Sequence, residues 1–157
     1  MHLASVSIAQ LRGPLDPQAE SELRAVVATL GQLARRSAGL VWSSTAEGEE
    51  GHAIVPHLDS LVVIVDLSVW NDLDSLVRHD RRSDVEECLR SLSTWLDDSP
   101  ESMTLPPRCL WWVGVGHEPS RSEVRTNLER LAKNGPTPVT FTMATATHPP
   151  ATESDRI

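Results

Sequence analysis

The order of elements readable in this 157-residue sequence is β, α, β, β, α, α, β, α, β. It predicts an α+β fold, an antiparallel sheet with helices on one face in the ferredoxin-like arrangement. Three observations carry that prediction. Residues 2–11 alternate, with Ala4, Val6 and Ile8 on one face and Ser5 and Ser7 on the other, the pattern of a half-buried strand. Residues 61–70 form an almost continuous β-branched run, too apolar for a solvent-facing edge, which belongs at the centre of the sheet. Residues 110–113 set Trp111 beside Trp112 on a third strand. Successive side chains point to opposite faces, so both faces of that strand need cover. Helices on one side cover only one face, and the simplest second layer is another subunit.

The connecting elements follow in order. Asp16 is an N-cap with Pro17 at the first helical position, and Leu23, Val26, Val27, Leu30, Leu33 and Ala34 recur at helical spacing to about residue 36. Gly39 precedes a short strand over 40–44, and the acidic run from Glu47 to Gly51 reads as an exposed loop. Strict alternation in the central strand puts Val63, Val65, Leu67 and Val69 on one face and Ile64, Asp66, Ser68 and Trp70 on the other. Asn71 or Asp72 caps a short helix, and a second runs over 83–96 through Val85, Leu89, Leu92 and Trp95. Pro100, Pro106 and Pro107 then break the chain. Ser120 with Glu123 makes a capping box for a helix that ends at Asn134 and Gly135, and a last short strand covers 139–143. Residues 1–145 read as a single domain, and 146–157 as a polar, proline-containing disordered tail.

Composition excludes several function classes. A net charge of -8, with thirteen Arg, the single Lys133 and no basic cluster, argues against nucleic acid and anionic membrane as partners. No apolar stretch approaches the ~20 residues of a membrane span. Cys88 and Cys109 have no paired spacing and read as reduced core residues, which fits a cytoplasmic protein. The histidines show no ligand-like spacing, so no metal is expected. Tyr is absent, and no nucleophile triad, phosphate-binding loop or dinucleotide fingerprint is present. Small molecules and proteins remain as partners.

Asp66 stands out because an ionised carboxylate in a buried strand is costly unless paired. It is either a pocket acid with a raised pKa, able to donate a hydrogen bond to a substrate carbonyl, or a structural group that pairs with an arginine such as Arg81 or bonds backbone at a subunit interface. Ser68 and Trp70 share its face. His117 lies between a strand end and a helix start, where it either binds a ligand or ties the loop down. Trp42, Trp70, Trp95, Trp111 and Trp112, in a chain with one Phe, could line a cavity with flat, rigid walls suited to a polycyclic or polyene ligand.

The block from Trp111 to Pro119, the segment from Asp66 to Trp70 and the close from Gly135 to Thr142 resemble a bacterial family of uncharacterised function. The likeness spans about residues 2–143. It implies a dimeric α/β barrel related in fold to the antibiotic-biosynthesis monooxygenases, and hence a homodimer. The family pattern opens the second paired helix with Tyr, Arg, Ser, any residue, His. Here Arg81 stands for the tyrosine and Val85 for the histidine, Arg82 and Ser83 are kept, and Asp66 replaces the family's usual Asn.

A cation, an aliphatic wall and an acid thus replace the polar pair. The expected function is a cofactor-independent tailoring enzyme of specialised metabolism, a cyclase performing cycloaddition on a polyene polyketide. Its catalytic residues are then Asp66 and Arg81, and the hydrophobic substrate touches Trp42, Ser68, Trp70, Val85, Trp111, Trp112 and His117. In size, fold and loss of the polar pair the chain is similar to small cyclases of macrolactone polyketide pathways. A monooxygenase of the same fold and a non-catalytic small-molecule-binding protein are the alternatives. The absence of a histidine at position 85 counts against the first of these.

Overall fold

In the computed structural model, which describes residues 1–44, 57–59, 61–97 and 107–146, the alternating N-terminal segment forms β1 (His2–Gln10). It is followed by α1 (Pro17–Arg35), β2 (Leu40–Ser43), β3 (His57–Asp59), β4 (Val62–Trp70), α2 (Leu73–Asp80), α3 (Ser83–Ser91), β5 (Arg108–Val113) and α4 (Arg121–Asn134). The strand order is β2-β4-β1-β5, every pair antiparallel, with β3 also on β4. An antiparallel sheet of this order, with helices in the β1–β2 and β4–β5 connections, is the ferredoxin-like arrangement. The expected fold class is the observed one. Strand β3 was not expected; the acidic loop and the tail beyond residue 146 lie outside the described residues.

The caps do what their chemistry predicts. Asp16 accepts from the Ala19 N–H at 2.7 Å, and Asp72, rather than Asn71, caps α2 by accepting from Ser75 N–H at 2.8 Å. Gly39 turns the chain from α1 into β2 at φ 92°, and a Cβ there would lie 2.1 Å from Ser75 Oγ. The loop therefore passes directly against the first turn of α2, a close approach open only to glycine.

The central strand departs from strict alternation. Ser7 pairs with Asp66 and Ile8 with Ile64, which leaves Val65 as an extra residue, a β-bulge. Beyond the bulge the parity reverses. Val63 and Val65 pack with α1 and α3, whereas Val62, Ile64, Leu67 and Val69 form the opposite cluster. The alternation-based faces were wrong for this reason: Asp66, Ser68 and Trp70 share the helix-covered face with Val63 and Val65.

Helices α1, α2 and α3 lie on that face, against Leu3, Ala9, Val63, Val65, Trp70 and Leu110. Helix α4 goes to the other, where Val124, Leu128 and Leu131 meet Val6, Leu67, Cys109 and Trp111. The second layer demanded by the adjacent tryptophans is thus supplied by the same chain. Trp111 is 4% exposed under α4, while Trp112 packs beside Phe141, ring centroids 6.1 Å apart, on the opposite face. The last expected strand shrinks to one bridge, Leu110 with Phe141. The segment around residues 137–140 curls into a turn, Thr137 N–H to Thr140 O at 2.8 Å, and Pro138 has no N–H to offer a ladder. Among the described residues no helix is long and apolar enough to cross a membrane.

Candidate functional site

Three strands set three polar residues in a row on the helix-covered face. Asp66 on β4 and Arg108 on β5 both pair with Ser7 of β1, so acid, hydroxyl and guanidinium stand side by side. At ~4.8 Å between strands, Asp66 and Arg108 are about 10 Å apart across the row. The next row holds Ser68, Ser5 and Leu110, with both serines fully buried. Asp66, Ser7 and Arg108 keep partial exposure, so the helices leave this polar row only partly covered, and that partly covered row is the recess.

Buried polar groups need partners, and these have them. Trp70 Nε1 donates to Ser68 Oγ at 2.9 Å, and Ser68 Oγ donates to Asp66 Oδ2 at 3.0 Å. Arg108 donates through Nε to Ser5 Oγ at 3.2 Å and through both terminal nitrogens to the Asp80 carboxylate at the end of α2. Behind Trp70 the His79 ring packs at 4.9 Å between centroids. Ser37 gives its hydroxyl proton to Leu33 O at 3.0 Å, so His79 Nδ1, 2.7 Å away, donates to Ser37 Oγ. Arg82 donates to the same oxygen at 3.0 Å.

Electrostatics separates the two acids of the recess. Although Asp66 retains partial surface exposure, the protein packed around its carboxyl strips it of water and raises its pKa above the usual carboxylate range. Arg108 and the Ser68 hydrogen bond pull it down, and Asp80 pushes it up, but desolvation dominates. Asp80 instead accepts from both terminal nitrogens of Arg108. Asp66 accepts at Oδ2 from Ser68, and its raised pKa favours the protonated form relative to an ordinary carboxyl. Burial lowers the His79 pKa, which keeps that ring neutral.

A raised folded-state pKa means the native state binds the proton more tightly than the unfolded chain. The stability Asp66 contributes is therefore complete below the ordinary carboxylate pKa and is lost as pH rises through its elevated value. Asp66→Asn is isosteric with the neutral acid. We expect it to flatten this dependence and raise the melting temperature relative to wild type at pH 8; a fall at pH 8 would contradict the assignment.

The other expected site residues do not converge on this recess. Arg81 is exposed at the C-cap of α2 and makes no ion pair with Asp66; Arg108 is the cation that acts on Asp66. Val85 is 2% exposed among Cys88, Leu92 and Val27. Trp42 and Trp111 belong to the α4 face, Trp112 packs with Phe141, and Trp95 lies against the α1–α3 cluster. The indoles form no common wall, and Trp70 is fully buried behind Ser68. Arg108, Asp80 and His79 escaped the sequence reading. A charge beside Pro107 at the start of a strand that must be buried was the available signal.

His117 sits in a second constellation on the opposite face. Its N–H donates to Gly114 O at 3.1 Å across a turn in which Gly116 adopts φ 85°. Ser120 caps α4 by accepting from Glu123 N–H at 3.1 Å. The Glu123 carboxylate does not complete the expected box. It accepts from Trp111 Nε1 at 2.8 Å through Oε2, and Oε1 lies 2.5 Å from His117 Nε2.

The β5-β1-β4-β2 sheet and its two helical crossovers define a ferredoxin-like α+β protein with a partly covered polar row on one face of the sheet. The chain belongs to the family described as domain of unknown function DUF3291, whose profile matches residues 2–156. Sequence comparison with curated proteins gives no match. Among solved structures it is similar to SnoaB, a cofactor-independent oxygenase from Streptomyces nogalater, at 13% identity over 76% of this chain and 98% of that one, TM-score 0.49. A conserved protein from Methanosarcina mazei Go1 aligns at 19% identity over 63% and 85%, TM-score 0.47. Rv0793 from Mycobacterium tuberculosis aligns at 17% identity over 76% and 100%, TM-score 0.44.

Proposed function

We propose that this protein is a cofactor-independent enzyme that cyclises an unsaturated, carbonyl-bearing small molecule in the recess over Asp66, Ser7 and Arg108. The observation that carries the reading is the Asp66 carboxyl at the end of the Trp70–Ser68 hydrogen-bond chain, its pKa raised by burial. Trp70 donates to Ser68 and Ser68 to Asp66 Oδ2, so the proton of the neutral acid belongs on the other oxygen, Oδ1. A hydrogen bond from that proton to a substrate carbonyl withdraws electron density from a conjugated system and stabilises charge that grows in the transition state. Holding a flexible polyene in a reactive fold removes entropic cost, an effect that reaches roughly 7–11 kcal/mol in favourable cases. Cyclisation by this route rearranges bonds within one molecule and consumes no co-reactant.

The test is incubation with linear polyene macrolactones and analysis of mass and structure. The expected product is an isomer of unchanged mass. Asp66→Ala should lower the rate at least a hundredfold, while Asp66→Asn, whose amide N–H can still donate, should retain more. An unchanged substrate, or an Asp66→Ala variant at the wild-type rate, overturns the reading. A product that has gained oxygen overturns cyclisation in favour of oxygenase chemistry.

A further inference from the structure

The edge of β5 beyond the Leu110–Phe141 bridge is open. Leu110 exchanges both backbone hydrogen bonds with Phe141, so on an antiparallel strand Trp112, two residues on, directs its N–H and C=O to the same side. Among the described residues neither group has a partner. The segment that would pair with Trp112 has turned away, with Val139 N–H donating to Thr137 Oγ1 at 3.2 Å and Val139 left 56% exposed. Between this edge and α4 lies a groove, lined by Trp111, Trp112, His117, Asn127, Arg130 and Val139 among others.

The polar groups of the groove are ordered along it. At one end Glu123 is hydrogen-bonded on both oxygens, by Trp111 Nε1 and His117 Nε2, and the His117 side chain is 47% exposed. One turn along α4, Asn127 donates to Glu123 O at 3.0 Å and accepts from Arg130 Nη1 at 3.3 Å. Asn127 is thereby fixed, and it holds the Arg130 guanidinium with its remaining donors available. Arg130 forms no ion pair among the described residues. The groove thus presents a backbone donor and acceptor in strand geometry, an apolar wall at Val139, and a guanidinium with no carboxylate partner among the described residues.

We propose that this groove is a binding site for a small amide-bearing carboxylate of the N-acyl amino acid class. The ligand amide completes the ladder at Trp112, as an added strand does at an open sheet edge, and the carboxylate pairs with Arg130. His117, set by Glu123, supplies a further polar contact. The site is on the α4 face and is independent of the Asp66 recess on the other.

Hippurate, N-benzoylglycine, is the probe. Titration followed by tryptophan fluorescence and by amide NMR should show saturable binding, with the Trp112 amide among the largest shifts. Arg130→Gln alters an exposed side chain, so the fold should be preserved by circular dichroism while the Kd rises at least tenfold. Asp66→Asn should leave the Kd within a factor of two. No saturation at millimolar hippurate, an unchanged Kd in folded Arg130→Gln, or loss of binding in Asp66→Asn would each overturn the assignment.

Discussion

Alanine at position 39 is expected to destabilise the protein by about 3 kcal/mol, combining roughly 1–2 kcal/mol for a left-handed backbone with 1–3 kcal/mol for overpacking. Gly39 has φ 92°, and the added Cβ would lie 2.1 Å from Ser75 Oγ and 2.4 Å from Ser75 Cβ. Neither atom can retreat easily. Ser75 is 3% exposed, its N–H is held by Asp72, and Gly39 O accepts from Asn71 N–H at 2.8 Å, tying the two segments together. Urea denaturation of Gly39→Ala measures the cost. In the Gly39→Ala background, Ser75→Gly should recover the overpacking part and leave the backbone part. A cost below about 1 kcal/mol would mean that the loop moves away from α2 without penalty.

Arg108→Met should have the second large effect, on stability and on the recess together. Removing one member of a fully buried ion pair costs about 3–5 kcal/mol, because the other charge is left uncompensated. The Arg108 and Asp80 side chains are 23% and 28% exposed, so water shares the load and about 2–3 kcal/mol is expected here. Ser5, fully buried, loses a donor as well. Arg108 is also the strongest influence lowering the Asp66 pKa, so a carboxyl NMR titration should find Asp66 titrating higher in the variant. Adding Asp80→Leu should restore part of the stability by removing the stranded charge, without returning Asp66 to its wild-type titration. An Asp66 titration that moves down or stays put would contradict the assigned electrostatics.

The elements were legible where one local rule governs them. Asp16 and Pro17 announced α1, the β-branched run announced β4, and Trp111 and Trp112 announced a strand with two covered faces. Asp66, Ser68 and Trp70 were rightly placed on one face, because their spacing of two lies wholly beyond the bulge. Val63 and Val65 were misassigned to the opposite face, because a bulge depends on how two strands meet and leaves no mark in either one. The cation that acts on Asp66 was missed for a similar reason. Arg81 is nearer in sequence, but Arg108 reaches the row through a strand pairing that spans most of the chain. Glu123 was recognised as a capping residue from its distance to Ser120, whereas its carboxylate is claimed by Trp111 and His117. A side chain with two plausible partners cannot be assigned from spacing alone.

The single extra residue in β4 gives the strand slack at one position and nowhere else. Deleting Val65 would restore regular alternation with Ile64 still paired to Ile8 and Asp66 to Ser7, so Asp66, Ser68 and Trp70 would keep their face and only one valine side chain would leave the α1–α3 cluster. A residue inserted between Asp66 and Ser68 meets no such slack: Ser68 and Trp70 would turn toward α4 or shift their pairing with β1. That one-codon change in length would break the hydrogen-bond chain to Asp66 with every one of its residues still encoded, a loss invisible to any comparison that tallies matching letters.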